Sequence, residues 1–210
     1  MTELRLSHLV LQTAQFPAMR DWYLTVLGAR VVYEGSIGCF MIFDDEHHRI
    51  ALAALPPEAV RERTPTTIGL SHSAFTFASM ADLVGRYRAL REAGVEPRVC
   101  VQHGMTTSLY YRDPDGNAVE LQIDNFASAD EATRYMHGPE FSEDAVGPTF
   151  DAAVLAEAFD AGVPAAELTT RQWAARGPQA DALQMLTVRH EAHCYIARLA
   201  GRNGRRYFWI

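Results

Sequence analysis

The chain has 210 residues, a formal net charge of −7, and 48% hydrophobic and 21% charged residues, which is ordinary for a soluble globular protein. The acidic balance argues against a nucleic-acid protein, which carries a basic surface. The N-terminal residues do not read as a signal peptide, and no apolar run approaches the roughly 18 residues of a membrane span, so no membrane association is expected. Cys39, Cys100 and Cys194 show no Cys-x-x-Cys pattern, which argues against a disulfide framework and fits a reducing cytoplasm.

Leu4 to Thr13 reads as a strand containing His8. Phe16, Met19, Trp22, Tyr23, Val26 and Leu27 recur at helical spacing, and Gly28 suits a C-cap. Strands follow at Ala29 to Tyr33, Cys39 to Phe43 and His47 to Leu55, separated by turns. Pro56 to Thr67, with three prolines and several charges, reads as a linker. Leu70 to Phe77 is again a strand, with His72 inside it. Ser79-x-x-Asp82 opens a helix through about Arg91, and Gly94 follows. Val95 to Gln102 is a strand and His103 to Thr106 a turn. Ser108 to Arg112, the turn Asp113-Pro-Asp-Gly-Asn117, and Ala118 to Ile123 complete a strand-turn-strand. Past about Asn125 the pattern becomes helical, at Ala129 to Met136, Asp151 to Phe159, Ala165 to Ala175 and Leu183 to Leu199. A basic, aromatic end closes the chain.

The order β-α-β-β-β thus occurs twice. Leu6-Ser-His8 recurs as Leu70-Ser-His72, an offset of 64 (72 − 8), and Gly28 and Gly94 are 66 apart (94 − 28). The expected fold class is α+β: two tandem βαβββ modules, residues 4–55 and 68–125, around a shared metal cleft. Residues 1–125 form that domain and 126–210 a mainly helical extension. Equivalent strands of duplicated modules would bring His8 and His72 face to face. Glu120, flanked by Val119 and Leu121 and on the opposite strand face from both, could join them. A buried carboxylate is costly unless paired or metal-bound. Two imidazoles and one carboxylate on one side of a metal leave coordination positions open, the pattern of non-haem Fe(II) oxygenases. The residue equivalent to Glu120 in the first module is Ala51, so no fourth ligand is offered there. The plainer reading makes His8 and His72 hydrogen-bonded core residues. By the same plain readings His47-His48 is a solvated strand start and His103 a turn residue. Alternation lets only one of Tyr110 and Tyr111 face a cleft. His190-x-x-His193 lacks a carboxylate partner at ligand spacing and reads as surface.

The sequence resembles the vicinal oxygen chelate superfamily, and within it the type I extradiol ring-cleavage dioxygenases of the catechol and 2,3-dihydroxybiphenyl kind. Tyr110, Pro114, Gly116 and Glu120 match that family's signature, His47-His48 its histidine pair, and His103-Gly104 its upstream His-Gly. The resemblance covers about residues 4 to 125. It implies metal ligands His8, His72 and Glu120, acid–base work by His48, a hydrogen bond from Tyr110 to the substrate, and support from His103. It implies Fe(II), with Mn(II) as the alternative metal, and a small aromatic diol and O2 as partners in meta-cleavage. The helical extension suggests a homo-oligomer. The competing readings are a glyoxalase-like metal-dependent isomerase or transferase, and a metal-free module that binds an aromatic antibiotic.

Overall fold

The computed structural model describes residues 4–59 and 68–182. The expected helix at Leu183 to Leu199, with His190 and His193, lies outside them. The described residues divide into two compact units, 4–59 with 112–117, and 68–111 with 118–182.

In the first unit, β1 (Leu9–Thr13), α1 (Phe16–Leu27), β2 (Arg30–Gly35), β3 (Gly38–Ile42) and β4 (Ile50–Ala54) build a four-stranded sheet of order β1-β4-β3-β2. β1 and β4 are parallel, and β2-β3-β4 run antiparallel. Met19, Tyr23, Val26 and Leu27 form the buried stripe of α1, which ends on left-handed Gly28 (φ 63°). The Asp113–Asn117 turn is held in this unit by the buried Asp113 carboxylate. It accepts from Asn117 N and Nδ2, both at 2.8 Å, and from Tyr23 Oη at 3.1 Å.

The first strand is shorter than its sequence suggests. It begins at Leu9, after His8, because the carbonyls of Leu6 and Ser7 accept from the Arg49 guanidinium instead of a neighbouring strand. Asp44 holds that guanidinium at 2.8 Å. His47 and His48 likewise precede β4 rather than lying in it. The backbone N–H groups of Glu46 and His47 turn to the side chains of Asp44 and Glu46, at 3.2 and 3.1 Å, which replaces a ladder with a loop.

The second unit repeats the order with β5 (His72–Phe77), α2 (Met80–Glu92), β6 (Val99–Gln102), β7 (Thr106–Arg112) and β8 (Ala118–Asp124). Ser79 caps α2 by accepting from Asp82 N. Met80, Leu83, Val84, Tyr87 and Leu90 are its buried stripe. The chain goes on through α3 (Ala129–Met136), α4 (Pro139–Glu143), β9 (Thr149–Phe150), α5 (Ala152–Asp160), α6 (Ala165–Leu168) and α7 (Arg171–Ala174). The two-residue β9 adds a fifth strand, giving the order β5-β8-β7-β6-β9. The single helix expected over Ala165 to Ala175 is two helices. Thr170 turns its hydroxyl to Trp173 N at 3.1 Å and starts the second as an N-cap. The fold is therefore α+β with a duplicated βαβββ module, as the repeat predicts.

Candidate metal and substrate site

β5 and β8 are parallel, with His72 opposite Ala118 and Ala74 opposite Glu120. His72 and Glu120 thus share one face of the sheet as diagonal neighbours, within reach of each other. Glu120 is 4% exposed, and its Oε2 lies 3.1 Å from His72 Nε2. Burial raises the pKa of this carboxyl. Hydrogen bonds from His72 and Ser108 and the nearby imidazole of His103 outweigh that, so the group is held below the ordinary carboxylate range and stays ionised.

Two donors bound to one cation at about 2.1 Å and at right angles stand roughly 3 Å apart. The His72–Glu120 separation has that value, and an imidazole nitrogen with a carboxylate is a donor set for a divalent transition metal. The residues present therefore fit a metal. Among the described residues no group of three or more His, Cys, Asp or Glu side chains is arranged to hold a metal ion.

Tyr110 stands next to the pair, its ring edge-on to His72 at 5.6 Å. Tyr111 points elsewhere and is 1% exposed in the core, which resolves the choice that alternation leaves open. Burial, and then the negative charge of Glu120, raises the Tyr110 phenol far above its usual range, so it keeps its proton. Two acceptors face that proton, the Glu120 carboxylate and His103. His103 Nδ1 is 2.6 Å from the Val146 carbonyl, which can only accept, so Nδ1 carries the ring hydrogen. Burial, foremost, depresses the His103 pKa and keeps the ring neutral. Its Nε2 is then an acceptor, 2.8 Å from Tyr110 Oη, and the phenol donates to it. The phenol oxygen also accepts from Ser108 and keeps a lone pair for a ligand.

His103 opens the turn between β6 and β7, with its N–H donating to Thr106 O at 3.0 Å. Gly104 is needed there. Its φ is 91°, and a Cβ would meet Tyr135 Oη at 2.0 Å.

The other histidines lie in the first unit. His8 is exposed, and its ring stacks on His48 at 4.4 Å. His48 stacks on Phe40 at 4.7 Å, and its Nδ1 is 2.5 Å from His47 Nδ1. Desolvation, then the neighbouring imidazoles of His47 and His8, lowers the His48 pKa, so the ring is neutral near pH 7. Its Nε2 lies outside the pairing with His47. Ala51 sits in β4 opposite Val10 and Phe40 and is buried, on the strand that would carry a fourth ligand.

The motif reading omits four contributors: Ser108 at Glu120, the Val146 carbonyl at His103, and Asp144 and Arg171, which hold these in place. Asp144-Ala-Val-Gly147 has the look of an Asx turn, a local signal that was available. Nothing in the sequence announces Arg171.

Residues 5–121 match the sequence model of the Glyoxalase/Bleomycin resistance protein/Dioxygenase superfamily. Biphenyl-2,3-diol 1,2-dioxygenase 3 of Rhodococcus globerulus is 59% identical over 184 residues, 87% of this chain and 97% of that protein. Biphenyl-2,3-diol 1,2-dioxygenase 2 of the same organism is 54% identical over 170 residues, 81% of this chain and 89% of its own length. Among solved structures, a glyoxylase/bleomycin resistance protein/dioxygenase domain from Frankia sp. EAN1pec has a TM-score of 0.51 and 21% identity. It covers 62% of this chain and 99% of its own, and speaks to the fold alone.

Proposed function

Because the chain belongs to the glyoxalase/bleomycin resistance protein/dioxygenase superfamily, we propose that it is an extradiol ring-cleavage dioxygenase, acting on a catecholic diol of the biphenyl-2,3-diol type. The observation that carries this reading is the 59% identity to a dioxygenase of that name over 97% of its length. The buried His72–Glu120 pair, with a protonated phenol beside it, supports it independently. The ligands are His72, Glu120 and His8, and the metal is Fe(II), with Mn(II) as the alternative. When bound, it supplies a shared coordination site for the diol and O2, through which the electron-rich ring can reduce O2.

The protein's own residues handle binding and protons. The ionised Glu120 matches a cation and does not compete for the diol's protons. Tyr110, its proton committed to His103, accepts a hydrogen bond from a diol hydroxyl and so orients the ring. This refines the expectation of a phenol that donates to the substrate. His48, neutral near pH 7, takes a diol proton at Nε2 and returns it as the ring opens.

The test is anaerobic reconstitution with Fe(II), then 2,3-dihydroxybiphenyl or catechol in air, followed by absorbance. A yellow ring-opened product that requires Fe(II) is expected. A chain that holds one metal ion yet opens neither diol would overturn the reading.

A further inference from the structure

We propose that Arg171, in the extension beyond the duplicated modules, is a positioning residue for the reaction: its guanidinium ties the Asp144–Gly147 loop to the His103 turn, and so decides which nitrogen His103 offers to Tyr110. Arg171 is 9% exposed, on the short helix α7. Its Nη1 donates to Asp144 O at 2.7 Å and its Nη2 to His103 O at 2.6 Å. One planar cation therefore bridges two backbone segments that are 41 residues apart (144 − 103).

The bridged loop is otherwise stiff. Asp144 Oδ1 accepts from Val146 N and Gly147 N, both at 3.0 Å, which forms the turn that aims the Val146 carbonyl. Gly147 has φ 92°, and a Cβ there would meet Gln102 O at 2.1 Å, so the loop lies directly on β6. Gln102 N donates to Pro148 O at 2.9 Å and continues that contact. The product of this arrangement is the 2.6 Å hydrogen bond from His103 Nδ1 to Val146 O. If the loop moves away, Nδ1 loses its only neutral acceptor among these contacts. The ring can then carry its hydrogen on Nε2, and the Tyr110 hydroxyl must turn round. The phenol would then present a different face to a diol. The guanidinium also lies 5.7 Å over the Tyr135 ring, and Tyr135 Oη abuts Gly104. Arg171 thus grips the His103 turn from two sides.

A cavity of about 1070 Å³ borders Arg171, Gly104, Tyr135 and Gly147. It gives water a route to carbonyls left bare by a substitution, so Arg171→Met is expected to fold. The Nε of Arg171 already makes no hydrogen bond.

The experiment has two readings. The first is the His103 tautomer in the metal-free full-length protein, from long-range proton–nitrogen correlation of the ring, the signal being identified by its loss in His103→Gln. Wild type is expected to hold hydrogen on Nδ1, and Arg171→Met to shift it toward Nε2. The second is kinetics with 2,3-dihydroxybiphenyl. Arg171→Met should lower kcat by about 10- to 100-fold, as loss of a supporting contact typically does. KM should stay within about threefold, since the ligand-binding groups remain. Arg171→Lys should recover part of both. Arg176→Met, which removes an exposed ion pair with Glu167, should change neither.

A wild-type ring with hydrogen on Nε2 would overturn the proposal. So would an unchanged tautomer in Arg171→Met whatever its rate, or a changed tautomer with unchanged kcat. If Arg171→Met does not fold, Arg171→Lys decides by the same two readings. The kinetic expectation rests on the ring-cleavage reading; the tautomer expectation does not, so the two can fail separately.

Discussion

The chain holds His103 and His48 in different ways, and the difference suits them to different proposed roles. His103 is 7% exposed and has both ring nitrogens committed, to Val146 O and to Tyr110 Oη. His48 sits on a loop, between the rings of His8 and Phe40, with Nε2 outside its pairing with His47. A ring with both nitrogens spoken for cannot exchange protons with a substrate; it can only hold its neighbour. A ring held by its faces keeps a nitrogen for chemistry. His103 is thus built to orient its neighbour, and His48 keeps the nitrogen that the proposed proton transfer requires.

The comparison breaks most severely at Glu120. Glu120→Ala should abolish metal binding, read as iron per chain after reconstitution, and bring ring cleavage to background. Next is His48→Gln, which should keep the metal and lose about 10²- to 10³-fold in kcat, the usual worth of a positioned acid or base. A near-wild-type rate would remove His48 from the proton steps. Tyr110→Phe should cost less, about 10- to 100-fold in kcat/KM. It also leaves His103 Nε2 buried without a donor, so the denaturation midpoint should fall by the equivalent of about 1–2 kcal/mol.

The smallest effect is on stability against pH. Burial lowers the folded-state pKa of His103. A neutral ring is favoured in the folded state, so this contribution is fully present above the unfolded value of about 6.5 and is lost as pH falls below it toward the folded value. The slope from one such group is at most about 1.4 kcal/mol per pH unit. Melting of the metal-free protein between pH 7.5 and 5.5 should show the loss, and His103→Asn should flatten part of it. An identical pH dependence in both proteins would place the ring in solvent rather than in the core.

Much of this molecule is written in short-range patterns. The duplicated βαβββ order, α1 with its Gly28 stop, α2 with its Ser79 cap, and the Asp113–Asn117 turn all rest on periodicity and turn chemistry within a few residues. The sequence marked His72, Tyr110 and Glu120 as candidates, and alternation along β8 placed Glu120 opposite its apolar neighbours. What periodicity could not decide is set by particular side-chain partners, several of them far along the chain. Strand β1 starts at Leu9 because Arg49 takes the carbonyls before it, and His47-His48 lies in a loop because nearby carboxylates take the backbone donors. Tyr110 rather than Tyr111 faces His72, because the register of β7 in its sheet turns it that way. The hydrogen on His103 is decided by a carbonyl 43 residues away (146 − 103) and by an arginine 68 residues away (171 − 103). Periodicity reports which face a side chain occupies. Only the packed chain determines which acceptor that face meets, and a proton's position follows from the acceptor.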